Sequence, residues 1–323
     1  MKEIDAVITW VDGNDPSHIA KRKKYGSNEI FNANDVAGST RFNNLGEIFW
    51  CIASLNRFAS FLHKIYLVTD EQNPHLESFL EKNFPQGHIP IEIIDHKTIF
   101  RGYEEYLPTF NSITLETMTW RIPGLSENYI EFNDDLMLAS PISPEDFFTE
   151  DGKVICYASK YSQLWTWLTR KLKRKVHGRT KVTFKRSMMN GARLAGEKSF
   201  FYKLHHTPKG LNRVFFEKYF KENPEEMIRN IKYRFRNAEQ FTPQELQYIS
   251  LDKMGKCKRL PIEGNLFFLQ PKKRKGYVHK KLEKLKKNKS YKFCCFNSLD
   301  WANDSERKSI LSWIEERLQI KLD

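Results

Sequence analysis

Residues Ile4–Val11 read IDAVITWV and run straight into Asp12-Gly13-Asn14-Asp15-Pro16. An apolar, β-branched run of that length, closed by turn residues, predicts a buried strand followed by a tight turn. The pattern repeats downstream. Lys64–Thr69 (KIYLVT) is a second strand, again closed by an acid and a turn, Asp70-Glu71-Gln72-Asn73-Pro74. Ile89–Asp95 is a third, and Tyr129–Phe132 a fourth that ends at Asn133-Asp134-Asp135. Between them, Leu45–Leu62, Pro74–Lys82 and Thr114–Arg121 space their apolar residues as helices do. Strands alternating with helices at this interval predict an α/β fold with a mainly parallel sheet. Ligands of such sheets bind at the carboxyl ends of the strands, where Asp12, Asp15, Asp70, Asp95, Asp134 and Asp135 gather onto one rim able to take a cation.

The second half reads differently. Lys209–Tyr219, Pro224–Tyr233, Thr242–Met254 and Asp304–Leu318 carry helical patterns, with Thr242 and Pro243 a cap and first-turn pair. No stretch there reads as a second sheet, so an added C-terminal helical portion is expected. The resulting division is 1–151 as an α/β portion, 152–196 as a basic insertion, and 197–323 as a helical portion that completes the site.

The chain has 323 residues, with 53 Lys+Arg against 40 Asp+Glu, a formal charge of +13. That excess is local. Gly152–Gly196 holds 12 cations and no acid, and Lys272–Lys292 holds 11 against Glu283 alone, so the remainder carries −9. At 40% hydrophobic and 14% aromatic residues a core is assured and wholesale disorder excluded. No apolar run approaches the roughly 20 residues of a membrane span, and no signal-peptide pattern opens the chain. Five Cys without a CxxC pair favour a reducing compartment and no structural zinc. Around Trp165, Trp167, Leu168 and Leu172, cations at Arg170, Lys171 and Lys173–Lys175 fit either an interfacial helix on anionic lipid or a solvated loop. Nucleic acid is disfavoured, because no binding signature accompanies the charge. The second basic stretch reads as a solvated face.

Several groups can carry chemistry. Asn133-Asp134-Asp135 and Asp12-Gly13-Asn14-Asp15 offer hard oxygen ligands for Mg²⁺ or Mn²⁺, or are ordinary turns. In His205-His206-Thr207-Pro208 an imidazole is available as a general base, or is structural. Arg234 and Arg236 suit bidentate grip of phosphate oxygens, or end a basic helix. P-loop, GxGxxG, GxSxG and protein-kinase signatures are absent from the sequence, which removes the commonest ATP, NAD and hydrolase readings.

Taken in order, Ile4–Pro16, Arg41–Pro74, Asp95–Asp135, His206–Asn237 and Tyr291–Leu318 resemble the regions of the Stealth family of sugar-phosphate transferases. The string FNSITLETMTWRIPGLSENYIEFNDD (Phe110–Asp135) is long and specific. The resemblance implies a nucleotide-sugar-transferase-like fold, a GT-A or Rossmann-like sheet, and Mg²⁺ or Mn²⁺ as cofactor. It also implies transfer of a sugar 1-phosphate from a nucleotide-activated sugar to a hydroxyl of an acceptor glycan, lipid-linked acceptors included. The setting would be capsular or cell-surface polysaccharide synthesis. Carried over by motif, Glu116, Asp135, His206 and Arg236 are the catalytic set. Asp135 and Asn297 would be metal ligands, while Trp10, Asp12, Gly13, Asn14, Asp15, Arg41, Asn111, Asn133 and Arg234 would bind donor or nucleotide. Three positions depart from the family pattern: Asn44, Ala53 and Ser298. The rival reading is an ordinary glycosyltransferase on the same fold. The expected location is cytoplasmic, peripheral on the inner face of a bacterial membrane.

Overall fold

The computed structural model describes residues 2–26, 44–169, 184–271, 274 and 276–322. Strands β1 (Ile4–Thr9), β2 (Ile65–Thr69), β3 (Ile91–Asp95) and β4 (Asn128–Asn133) pair in parallel in the order β3-β2-β1-β4. Ala6, Val7 and Ile8 of β1 and Ile65–Val68 of β2 are buried. Strands covered on both faces must be apolar throughout, and for that reason these segments read as unbroken hydrophobic runs. The one charge inside β1, Asp5, is buried as well. Its carboxylate accepts from the Ser126 amide at 2.7 Å and lies 3.0 Å from His63 Nδ1, tying the approach to β4 onto β1. Because β1 lies between β2 and β4, the chain leaves it in opposite directions and opens a crevice at the β1 and β4 carboxyl ends.

The remaining strands are β5 (Leu136–Leu138), β6 (Val154–Ser162), β7 (Phe200–Leu204), β8 (Lys209–Asn212), β9 (Cys257–Leu260), β10 (Leu266–Leu269) and β11 (Phe293–Phe296). β8 joins the main sheet antiparallel to β4, while β10-β11-β5 and β7-β6-β9 form two three-stranded sheets. The expected parallel α/β sheet is therefore present, but the second half is not only helical. Lys209–Asn212, read as the start of a helix, is a strand opposite Asn128–Glu131, and the helix begins at Arg213 with Asn212 as its cap. Short runs such as FFYKL, LFFL and FCCF carry no period that separates strand from helix, and their partners come from distant chain. The expected basic insertion also contributes core. The first five residues of β6 are buried, as are Met188, Met189 and Ala192 of the helix Phe184–Leu194. In the second basic stretch, the helix Tyr277–Lys287 buries Val278, Leu282 and Leu285, exposes Lys280, Lys284, Lys286 and Lys287, and turns Lys281 onto the Phe268 carbonyl.

Helix Glu47–Phe58 packs on β5 and on the last helix, Asp304–Leu318. The last helix opens on an Asn303/Glu306 capping box, the reciprocal pair that satisfies its first free amides. Arg57 Nε donates to the Leu318 carbonyl at 3.0 Å, fastening the two helices.

Candidate active site

A cleft of about 470 Å³ opens at the carboxyl ends of β1 and β4. Its lining holds two kinds of group: a charged set with Asp134, Asp135, His206 and Arg236 beside Asn297, and a neutral set with Trp10, His18, His96, Thr109 and Asn111.

The charged set is assembled by strand register. β11 runs antiparallel to β5 with Cys295 opposite Leu136, which carries Asn297 past the β5 start and alongside Asp135. Asn297 Nδ2 donates to Asp135 Oδ2 at 3.0 Å, and the Phe296 amide donates to the Asp135 carbonyl at 3.1 Å. Asn297 Oδ1 is occupied from the other side, accepting from Gln270 Nε2 and from the Ser298 hydroxyl, each at 2.9 Å. Asp135 Oδ1 is buried and accepts no hydrogen bond. In the turn between β7 and β8, His205 Nε2 meets the Ser159 hydroxyl at 3.2 Å, whereas His206 lines the cleft with its ring against Phe268. Asp135, His206 and Cys295 bring ligand atoms within 4.8 Å of one another.

Arg236 reaches the cleft from the segment after the helix Pro224–Ile231, donating to the Ser112 hydroxyl at 2.9 Å. Buried amides lock that segment in place. Asn111 Nδ2 donates to the Tyr233 carbonyl at 3.1 Å and to Gln240 Oε1 at 2.8 Å, and Asn230 Nδ2 donates to Thr117 at 2.7 Å. The guanidinium is thus held ready rather than free to search.

Charge is crowded here. Burial, then Asp135 and Glu47, raise the Asp134 carboxyl well above its usual range. Burial raises Glu47 likewise, with Asp135 and Asp300 adding to it. Burial lowers His206 below the ordinary histidine value against the pull of Asp135, with Lys209 and Arg236 pushing the same way as burial. The Cys295 thiol is raised by burial and by Asp135, so it remains protonated. A divalent cation fits this donor set. Asp135 has a buried oxygen without a partner, its acidic neighbours repel one another, and carboxylates are the hard ligands that Mg²⁺ and Mn²⁺ take.

The second set of lining groups is polar and itself neutral. Trp10 Nε1, Thr109 Oγ1, Asn111 Oδ1 and both ring nitrogens of His96 are buried without hydrogen-bond partners. The nearest acid to the His96 ring is Asp70, at 4.0 Å from Nδ1. Burial drives both His18 and His96 down to about 4, which keeps them neutral. His18 meets Phe110 edge-on at 5.4 Å, and Phe110 stacks on Phe235.

Of the residues singled out by sequence, Trp10, Asn111, Asn133, Asp135, His206, Arg236 and Asn297 line this one cleft. Asp12, Gly13, Asn14 and Asp15 build the turn beneath it. The Asn14 amide donates to Asp12 Oδ1, Gly13 O accepts from Arg22, and Asp15 caps the helix Pro16–Tyr25 by accepting from the His18 amide. Arg234 turns away, donating to the Glu105 and Leu107 carbonyls and lying over Tyr25. Glu116 sits behind the cleft, hydrogen-bonded to Gln244. Arg41 lies outside the described residues. Sequence reasoning missed His18, Glu47, His96 and Thr109. Only His18 carried a local signal, three residues after a capping Asp.

A mainly parallel sheet with a cleft at the β1/β4 switch point defines an α/β protein with its ligand site at the carboxyl ends of the strands. Two family models match: Stealth protein conserved region 1 over residues 2–29 and conserved region 2 over residues 41–156. Over these residues the chain resembles the Stealth family. It is 38% identical to the receptor polysaccharide phosphotransferase of Streptococcus oralis and 37% identical to a capsular polysaccharide phosphotransferase of Streptococcus pneumoniae. Each alignment covers 47% of this chain and 43% of the relative, so the chain spans less than half the length of these relatives. Among solved structures, the galactosyltransferase LgtC with donor and acceptor sugar analogues aligns at TM-score 0.48 and 10% identity, covering 99% of this chain and 97% of that one. Mouse xyloside xylosyltransferase 1 aligns at TM-score 0.42 and 12% identity, covering 91% and 98%.

Proposed function

We propose that the protein transfers a sugar 1-phosphate from a nucleotide-activated sugar to a hydroxyl of an acceptor glycan in capsular or exopolysaccharide synthesis. The observation that carries this reading is the meeting of Asp135, His206 and Arg236 in one cleft, in a chain related to polysaccharide phosphotransferases. The nucleoside would lie against the neutral set, where unpartnered groups on Trp10, His96, Thr109 and Asn111 await hydrogen bonds. The pyrophosphate would lie against the charged set. In the transfer, the acceptor oxygen bonds to the sugar-proximal phosphorus, and the bond from that phosphorus to the bridging oxygen breaks. The products are a phosphodiester-linked glycan and a nucleoside monophosphate. His206, neutral at working pH, takes the acceptor's proton; Arg236 steadies the non-bridging oxygens. Asp135, with Asp134, would hold Mg²⁺ or Mn²⁺, which neutralises pyrophosphate charge when bound. Asn297 serves by aiming Asp135.

The test is a panel of nucleotide sugars with Mg²⁺ and acceptor oligosaccharides. Mass spectrometry should show sugar plus phosphate added and nucleoside monophosphate released. Addition of sugar alone with release of a nucleoside diphosphate would replace this reading with ordinary glycosyl transfer.

No helix among the described residues is long and apolar enough to cross a membrane. Leu164 and Trp165 are 66% and 70% exposed, with Trp167 and Leu168 beside them and Lys160, Lys185 and Lys203 nearby around Tyr161 and Phe200. Burial of such a face in an anionic bilayer would hold the enzyme peripherally on the cytoplasmic leaflet, next to lipid-linked acceptors. Co-sedimentation with liposomes should rise with anionic lipid and fall with salt. Binding indifferent to both would refute the docking.

A further inference from the structure

Behind the cleft, a row of buried polar side chains has no part in the transfer chemistry described so far. Gln244, in the first turn of the helix Pro243–Lys253, is fully buried, and Glu131 of β4 is 1% exposed. Gln244 Nε2 donates to Glu116 Oε2 at 2.9 Å and to Glu131 Oε1 at 2.5 Å. Lys209 stands directly across from Glu131 in the β4/β8 register, its Nζ 3.9 Å from the same Oε1. Burial, then Glu116, push Glu131 up to about 8, but a carboxyl accepts at its carbonyl oxygen in either state, so Gln244 presents its nitrogen to both acids and both its hydrogens are used.

Packing does not account for this row. Buried charges cost several kcal/mol each unless closely paired, and apolar residues at 131 and 244 would fill the same space without that cost. The row has direction instead. It begins at Lys209, three residues after His206, and ends at Glu116, whose charge acts on Arg236. Among the described residues, Gln244 supplies the hydrogen bond that the Glu116 carboxylate receives. It therefore spans the two sides of the cleft, linking the strand that follows the His206 turn to the acid beside the arginine.

We propose that Gln244 and Glu131 are positioning residues for Glu116: the Gln244 amide sets the Glu116 carboxylate, and Glu131, anchored by Lys209, holds that amide in place. The inference rests on the reading that His206 and Arg236 serve transfer in this cleft, with Glu116 acting on Arg236 from behind it. What it adds is a dependence on an acceptor atom at position 131 rather than on its charge.

Three variants separate these. Gln244→Met keeps the volume but removes both donors, and should lower kcat about 100-fold with the donor KM within about threefold. Glu131→Gln keeps an acceptor oxygen and should stay within about threefold of the wild-type kcat, while Glu131→Met should fall with Gln244→Met. Thermal melting of each reports folding. Should Gln244→Met fail to fold, the isosteric Gln244→Glu replaces it. Its deficit should shrink as pH falls from 8 to 6, because protonating the introduced carboxylate restores one donor, a response that a packing role would not produce. Wild-type kcat in Gln244→Met or Gln244→Glu overturns the proposal, and so does a Glu131→Gln as impaired as Glu131→Met. Release of nucleoside monophosphate by the wild type checks the transfer reading separately. The Gln244 side-chain NH₂ signals check the bridge without turnover. They should exchange slowly with solvent in the wild type and fast in Glu131→Met; fast exchange in the wild type also overturns it.

Discussion

The charged and the neutral groups that line the cleft respond in opposite ways to the same burial. Around Asp135, acids are packed until they repel one another, and burial raises Asp134 and Glu47. In the neutral set, burial strips charge from two histidines and leaves neutral groups without partners. One set is poised for a counter-charge, the other for a neutral ligand with donors and acceptors of its own. A molecule charged at one end and flat and polar at the other satisfies both. On the proposed function, that difference would orient the donor before any chemistry is considered.

The largest expected effect breaks the charged set. Asp135→Asn should reduce transfer by more than about 1,000-fold at any Mg²⁺ concentration, with an unchanged circular dichroism spectrum. Turnover near wild type would remove Asp135 from the site. His206→Ala should cost about 100- to 10,000-fold in kcat, the range for losing a positioned general base. In the wild type the acid limb of the pH–rate profile should lie below the ordinary histidine value, since burial lowers His206. A limb above it would assign the base elsewhere.

The neutral set gives a stability test. The folded-state values of His18 and His96 are about 4 against 6.5 for the free side chain. Between those pH values the unfolded chain binds more protons, so stability is present above pH 6.5 and is lost as pH falls toward 4. The loss is on the order of 3 kcal/mol per histidine. Urea melts at pH 7.5 and pH 5 should differ by about 2 kcal/mol per histidine, the part of that loss reached by pH 5, and His96→Gln should narrow the gap; equal stabilities at both pH values would contradict the burial of these rings. The smallest effect sharpens the comparison. Thr109→Val should weaken binding of the preferred nucleoside monophosphate about tenfold while leaving inorganic pyrophosphate unaffected. Equal loss of both would mean that the two sets are not separate.

Much of the charged set was legible in order along the chain. Asp135 follows a strand that reads as a strand, and His206 and Arg236 stand in motifs of recognisable type. Asn297 is different. It was legible as a motif position, but its use is set by the β11/β5 register, which turns its nitrogen to Asp135 and occupies its oxygen with Gln270 and Ser298. Gln244, Glu131 and Lys209 carried no local signal. A glutamine in a first helical turn is ordinary until a distant strand brings two carboxylates against it. The strands of the second half were illegible for a related reason. Four or five apolar residues fit a strand or a helix equally, and the choice rests on partners far away in the chain.

By itself, then, the sequence determined the parallel sheet, because strands buried on both faces must be continuously apolar and their turns must carry polar breakers. It also determined which acids stand at the strand ends. Only the tertiary structure decided which of those acids share a cleft, which histidines lose their charge, and which glutamine bridges two buried carboxylates. Backbone pattern is written in nearest neighbours. Desolvation and hydrogen-bond geometry depend on what distant segments bring into contact.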